Sequence, residues 1–86
     1  MIPKMRNVHP GAILKMELVE GRKLSVSEIS KMLDTTETNI SKILNGYASI
    51  SHNMALKIEA VFGVSAAFFM RLQATYDLEE ASKLQA

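Results

Sequence analysis

The chain has 86 residues, 48% of them hydrophobic and 22% charged, which allows one globular domain and excludes a disordered chain. It contains no cysteine, so disulfides and thiolate sites are excluded, and no apolar run approaches the roughly 20 residues of a membrane span. The net charge of +1 does not by itself indicate nucleic-acid binding, although residues 22–57 carry five bases against three acids and residues 58–86 two bases against four acids.

The strongest secondary-structure signals are helix caps. A first helix is predicted over residues 10–20, because Pro10 suits the first turn of a helix and apolar residues follow at helical spacing. A second helix is predicted over residues 26–33, where Ser25 and Glu28 form an S-x-x-E capping box. In such a box each side chain accepts a hydrogen bond from the other residue's backbone N–H.

The remaining helices are also predicted from their caps. A third helix is predicted over residues 37–45, with Thr36 as its N-cap. Ser51 and Ser65 cap a fourth and a fifth helix, and the fifth extends to about residue 84. Since neither strand alternation nor an internal repeat is found, the predicted fold is all-α, a compact five-helix domain with an extended C-terminal helix.

Residues 24–46 contain two short predicted helices joined by a turn of three to four residues, which is the geometry of a helix-turn-helix. In that motif the second helix enters the DNA major groove, and its capped N-terminus offers free N–H groups to phosphate. The exposed face of the third predicted helix carries polar side chains that suit base edges. That face consists of Glu37, Thr38, Asn39, Ser41 and Lys42.

Most of these residue types have a matching partner on DNA. Asparagine pairs with adenine, lysine donates to guanine, glutamate accepts from cytosine, and the threonine methyl contacts the thymine methyl. Ser25 and Ser27, at the start of the second helix, have hydroxyl and backbone groups for phosphate. A capped helical hairpin is also common in all-helical proteins, and a polar helix face usually meets water. Spacing alone therefore leaves DNA binding and simple solvation both open.

Four segments of the sequence resemble one protein family. Residues 24–46 resemble the helix-turn-helix of the phage-repressor-like (Xre) superfamily. The segments HPGAIL (9–14), ISHNMAL (50–56) and FFMRLQATYDL (68–78) are similar to motifs of its HigA-type, or VapI-type, antitoxin branch. Those motifs are H-P-G-x-x-L, I-S-x-x-M-A-L and F-[FW]-x-x-L-Q-x-x-Y-D-L. The resemblance covers about residues 8–81, nearly the whole chain.

The resemblance implies a lambda-repressor-like fold and a dimeric repressor of its own toxin–antitoxin operon in the cytoplasm. It also implies that the protein neutralises a HigB-type toxin, a ribosome-dependent mRNA endonuclease. The expected partners are thus palindromic double-stranded operator DNA, the cognate toxin and a second copy of the chain. By position, the resemblance assigns Glu37, Thr38, Asn39 and Lys42 to base reading and Ser25, Ser27 and Thr36 to phosphate contact and positioning.

The sequence departs from the family pattern at several positions. Asp34 stands where glycine is usual in the turn, and aspartate tolerates the left-handed backbone conformation better than most residues. Ser30 stands where alanine usually packs against the third helix, so its buried hydroxyl is expected to bond a backbone carbonyl one turn back. The loop Tyr47-Ala48-Ser49 lacks the basic residues that many relatives carry, which lowers the phosphate affinity expected of each subunit.

The last predicted helix carries more apolar side chains than a short monomer needs. We expect its first half to close the core and its second half to meet a two-fold mate. Internal packing of the same side chains is the alternative. In a dimer, two reading helices about 34–36 Å apart match successive major grooves of a palindrome. The dimerisation candidates are Leu72, Tyr76 and Leu78.

Two other functions stay open beside a repressor that is also an antitoxin. One is a protein-interaction module that binds a toxin without strong DNA binding of its own, which the near-neutral charge favours. The other is a solitary phage-type repressor without a toxin. The sequence does not separate this last function from the first, whereas the genes beside it would.

Catalysis and metal binding are not expected. His9 and His52 are the only histidines, they lie in different segments, and no acidic pair accompanies them at ligand spacing. No nucleophile has a base and an orienting group placed beside it in a recognisable motif. The chain is therefore predicted not to be an enzyme and to need neither a metal nor another cofactor.

The domain boundaries follow from the same pattern. Residues 1–8 are predicted to form a poorly ordered N-terminal extension, and both Met1 and Met5 are compatible with the start of the protein. Residues 9–86 are predicted to form the single helix-turn-helix domain, which includes the C-terminal dimerisation helix.

Overall fold

The structure is a computed structural model that describes residues 8–84. The predicted extension therefore lies, apart from Val8, outside the described residues, as do residues 85–86. In the described part of the chain every regular element is a helix. These elements are α1 (Pro10–Lys15), which continues as a π-helical turn (Met16–Gly21), α2 (Val26–Met32), α3 (Glu37–Leu44), α4 (His52–Phe62) and α5 (Ala66–Leu84).

The predicted all-α fold with five helices is confirmed, and α2 and α3 each end one residue earlier than predicted. The first helix differs more, because its second half is π-helical. There the Arg22 backbone N–H donates to the Glu17 carbonyl oxygen, five residues back, at 3.1 Å. The chain then turns at Lys23, whose φ of 60° is a left-handed conformation that is uncommon outside glycine.

Side-chain caps hold the helix starts where the sequence predicts them. Ser25 Oγ accepts from the Glu28 backbone N–H at 3.1 Å, and Glu28 Oε1 accepts from the Ser25 N–H at 3.0 Å, which completes the capping box. Donation from Ser25, chiefly from its backbone N–H, favours the charged carboxylate and lowers the pKa of Glu28. The hydroxyls of Thr36, Ser51 and Ser65 each accept from the backbone N–H three residues on, at 3.1, 3.1 and 3.2 Å.

The core is one cluster of apolar side chains drawn from all five helices. Burial of one leucine, isoleucine or phenylalanine stabilises the fold by about 1.5–3 kcal/mol, so the cluster supplies most of the driving force for folding. The buried apolar residues are Leu14, Leu18, Ile29, Leu33, Ile40, Ile43, Leu44, Ile50, Met54, Ala55, Ile58, Phe62, Ala66 and Phe69.

The first helix approaches α3 at backbone distance. A Cβ atom built on Gly11 would overlap the Ile43 carbonyl oxygen in the last turn of α3. Only glycine permits this approach, because any side chain would push the two helices apart. The contact sets the position of α1 against the C-terminal end of α3.

Buried Gln73 joins α5 to the loop between α3 and α4. Its Oε1 atom accepts from the Ile50 backbone N–H at 2.8 Å, and its Nε2 atom donates to Asp77 Oδ1 at 3.0 Å. The side chain is only 6% exposed, and both ends of its amide are hydrogen-bonded. Gln73 therefore satisfies a buried loop N–H that would otherwise be left without a partner, a loss that costs about 1–3 kcal/mol.

Replacement of Gly11 by alanine should destabilise the domain. The added methyl group meets backbone, which cannot move aside as a flexible side chain can, so we expect a loss of at least about 1–3 kcal/mol in the free energy of unfolding. Urea denaturation followed by circular dichroism measures this loss. Gly21→Ala is the matched control, since its Cβ would meet only the Met16 carbonyl oxygen, at 3.2 Å, and Gly21 is exposed. Equal losses in the two variants would contradict the close approach.

Candidate nucleic-acid interface

The turn between α2 and α3 has the geometry predicted for a helix-turn-helix. Asp34 has a φ of 53°, so it adopts the left-handed conformation expected of it, and the Thr35 backbone N–H donates to the Ser30 carbonyl oxygen at 2.9 Å. The Ser30 side chain is buried, and its hydroxyl donates to the Ser27 carbonyl oxygen at 2.8 Å. The expected bond to a carbonyl one turn back is thus present, and serine fits between the two helices.

Four of the predicted reading residues line one surface. An open groove runs between the start of α2 and the outer face of α3, and its remaining lining residue is Val26. Glu37, Thr38 and Lys42 are exposed, and Ser41 is half-buried. The groove thus combines one cation, one anion and two hydroxyls beside an apolar side chain. We call the surface formed by Val26, Glu37, Thr38, Ser41 and Lys42 the reading groove.

Asn39 is oriented differently from the other predicted reading residues. Its side chain is half-buried, and its Nδ2 atom donates at 3.0 Å to Thr35 Oγ1, in the turn just before the N-cap of α3. Asn39 is not among the residues that line the reading groove. One of its two amide hydrogens is thus engaged within the protein, and its pairing with adenine stays a prediction.

The three residues predicted for phosphate contact lie at the starts of α2 and α3. Ser25 and Thr36 are N-caps whose oxygens accept backbone N–H groups, and each hydroxyl retains a hydrogen that it can donate. Ser27 is half-buried in the first turn of α2. Ser25 and Thr36 are exposed, so an anion such as phosphate can approach the positive dipole ends of both helices.

Two polar residues that the sequence analysis did not single out bond predicted reading residues of α3. Thr35 accepts from Asn39, and Asn45 Nδ2 donates to Ser41 Oγ at 3.4 Å. Both are pairs of polar residues four positions apart, the spacing at which side chains meet on a helix face. That spacing is visible in the sequence, so both pairs could have been predicted from it.

His9 supports the opposite end of α3. Its Nδ1 atom accepts from the Gly11 backbone N–H at 2.9 Å and so caps α1, while a backbone hydrogen bond joins the ring to Ala48. The ring also packs edge-on against Tyr76 of α5, with 4.8 Å between the ring centroids. Burial lowers the pKa of His9 from its ordinary value of 6.5, although the Asp77 carboxylate and the bond to Ala48 act in the opposite direction.

The three dimerisation candidates lie in different environments. Leu72 is partly buried and packs against the core, and Tyr76 is half-buried beside His9. Leu78 is 72% exposed on α5. Of the three, Leu78 alone presents an exposed apolar side chain, and the contribution of all three to a dimer stays a prediction.

Neither a metal centre nor a membrane span is found in the described part of the chain. Between residues 8 and 84, no three histidine, aspartate or glutamate side chains are grouped so that they could hold a metal ion. Over the same residues, none of the helices combines the length and the apolar character needed to cross a membrane.

Comparison with known proteins gives the class of the protein. Residues 14–69 match the helix-turn-helix family. The chain is 38% identical over 82 residues to virulence-associated protein A' of Dichelobacter nodosus. The aligned region covers 93% of this chain and 70% of that protein. Fold, site and sequence thus define a DNA-binding helix-turn-helix domain of the transcription-regulator class, whose members are not enzymes.

Solved structures give the branch of the family. An addiction module antidote protein of the HigA family from Coxiella burnetii is 38% identical, with a TM-score of 0.85 over 92% of this chain and 86% of that one. The antitoxin HigA of Pseudomonas aeruginosa, solved with the higBA promoter, is 30% identical, with a TM-score of 0.87 over 92% of this chain and 86% of that one. This chain belongs to the Xre-type helix-turn-helix family, in the branch of the HigA-type antitoxins.

Proposed function

We propose that this protein is a sequence-specific transcriptional repressor and the antitoxin of a HigBA-type toxin–antitoxin system. It represses its own operon and neutralises a cognate mRNA-endonuclease toxin. The observation that carries the first half is the reading groove, which lies beside two capped and outward-facing helix starts. The similarity to an antitoxin HigA solved with the higBA promoter supports both halves.

The groove assigns a role to each of its polar residues. Lys42 and Glu37 are exposed and of opposite charge, so they discriminate between bases that present acceptors and bases that present donors. Thr38 contacts a thymine methyl group, and Ser41 is held in place by Asn45. The caps Ser25 and Thr36, together with Ser27, bind phosphates and fix the position of α3 on the duplex. Asn39, turned toward Thr35, reads adenine with its remaining amide groups.

A homodimer is the second part of the proposal. The last buried residue of α5 is Gln73, and the helix continues for eleven more residues to Leu84. An isolated helix of this length is marginal in water, so a partner that covers its exposed apolar side chains would stabilise it. A two-fold mate also supplies a second reading groove, which compensates for the weak positive charge of one subunit.

DNA from immediately upstream of the gene should bind in a sequence-selective manner at two subunits per site. Lys42→Ala should weaken this binding by about 1–3 kcal/mol and change the base preference at one position in each half-site, because a direct base contact is lost. Thr38→Ala should change the preference at a thymine position. Fluorescence anisotropy on operator and scrambled DNA, at two salt concentrations, measures both effects.

Lys57→Ala is the charge-matched control. Lys57 is exposed on α4 and does not line the reading groove, so its loss removes the same charge and should leave base preference unchanged. An unchanged base preference in Lys42→Ala would mean that Lys42 does not read bases. Equal binding of both DNAs, abolished by modest salt, would show only phosphate attraction and would overturn the proposed repressor.

Replacement of Leu78 by glutamate should dissociate the dimer without unfolding the subunit. The Leu78 side chain is 72% exposed, so in the monomer the new carboxylate is solvated by water. In the dimer the same carboxylate would be buried in an apolar contact, which is unfavourable. Sedimentation equilibrium measures the association constant. Leu56→Glu is the control, because Leu56 is 58% exposed on α4, away from the proposed interface. If Leu56→Glu dissociates the dimer and Leu78→Glu does not, the interface is on α4 and not on α5.

The product of the adjacent gene should co-purify with this protein and should arrest growth when expressed alone. The variants Thr38→Ala and Lys42→Ala should retain the complex, since each alters one exposed side chain of α3. A second candidate function is a toxin-binding module without strong DNA binding, which the loop Tyr47-Ala48-Ser49 without basic residues favours. Complex formation without operator binding would establish that function, and operator binding without a toxin would indicate a solitary repressor.

A further inference from the structure

The loop after α3 connects His9 to the reading groove through two hydrogen bonds. A backbone hydrogen bond joins the His9 ring to Ala48, and the Ala48 backbone N–H donates to the Lys42 carbonyl oxygen at 3.2 Å. The Tyr47 N–H donates to the same carbonyl at 2.8 Å. The backbone of the proposed base-reading lysine is therefore held by a loop that His9 itself holds.

The His9 ring uses both of its nitrogen atoms in the neutral form. Nδ1 accepts from the Gly11 N–H at 2.9 Å and so carries no proton. The bond to Ala48 raises the pKa of His9, which means that the ring donates, and Nε2 is the atom left to do so. A proton added to Nδ1 would place two donors against each other, and the cap of α1 would be lost.

The His9 ring packs against α5 and against the loop after α3. Tyr76 contacts it from α5, and the Asp77 carboxylate of the same helix exerts an attractive field on a protonated ring. The loop after α3 presents Gly46 and Ala48, neither of which titrates. Asp77 also accepts from Gln73, so its carboxylate is held in place.

We propose that His9 is a protonation-sensitive positioning residue for the DNA-reading surface. In its neutral form it clamps the start of α1, the loop after α3 and α5 together. Protonation breaks the cap at Gly11, whose backbone packs against the Ile43 carbonyl oxygen, and so loosens the last turn of α3, which carries Lys42. Operator affinity therefore falls as the medium becomes acidic. This inference rests on the proposed DNA binding, and it adds a regulation of the same site.

Proton linkage gives the size and direction of the effect. His9 is neutral in the form that binds DNA, so acidification favours the form that does not. Uptake of one proton changes affinity by at most about tenfold per pH unit for each subunit. Burial keeps the pKa of His9 below 6.5, so the decrease should begin below about pH 6.5 and be absent near pH 7.5.

The experiment compares three proteins by fluorescence anisotropy on the upstream DNA from about pH 7.5 to pH 5.5. The wild type should lose affinity with falling pH. His9→Asn should show a flat profile, because asparagine also caps helices but does not titrate. His52→Gln should follow the wild type, since His52 is exposed at the start of α4 and is the only other histidine. Identical pH profiles for the wild type and His9→Asn would overturn the inference.

A second measurement tests the coupling without DNA. In NMR spectra of the wild type, the amide signals of Ala48 and Lys42 should shift with the same midpoint as the His9 ring. If the ring titrates and these amides do not move, the inference is wrong even if DNA binds. Failure of the wild type to bind upstream DNA at about pH 7.5 would instead contradict the proposed repressor, so the two failures are distinguishable. Circular dichroism at each pH verifies that every variant is folded.

Discussion

The close approach of Gly11 to the Ile43 carbonyl is the constraint on which the arrangement of helices depends. It brings the start of α1 to the end of α3, and that proximity places His9 within reach of the loop that follows α3. The same loop is held from the other side by Gln73 of α5, through the Ile50 N–H. The recognition helix is therefore fixed at its C-terminal end by backbone contacts and at its N-terminal end by its cap.

The segments that carry the family resemblance meet in this region. His9 and Gly11 come from the H-P-G segment, and Gln73 and Tyr76 come from the last segment, yet they surround one short loop. None of these four residues lines the reading groove. In this structure the motifs therefore hold α3 in place, and DNA recognition is assigned to different side chains.

The features that could be predicted from the sequence are those that depend on contacts between residues close together in the chain. Caps at Ser25 and Thr36, the left-handed Asp34 and the hydroxyl bond of Ser30 all depend on near neighbours, and the structure has each of them. The π-helical turn ends at Arg22, whose side chain donates to the Phe62 carbonyl oxygen, and His9 packs against Tyr76. One sequence does not reveal such contacts between distant segments. The orientation of Asn39 lies between these cases, because its partner Thr35 is only four residues away but precedes the N-cap of α3.

The exposure of the reading groove has a consequence for how such a protein acquires a new target. Glu37, Thr38 and Lys42 are exposed, and substitutions at exposed positions usually change stability by no more than about 0.5 kcal/mol. The side chains that we propose to choose the base sequence can therefore be exchanged while the core and the network around His9 stay as they are. Specificity can diverge at almost no cost in stability, so the domain is suited to grafting a reading face from one repressor onto another.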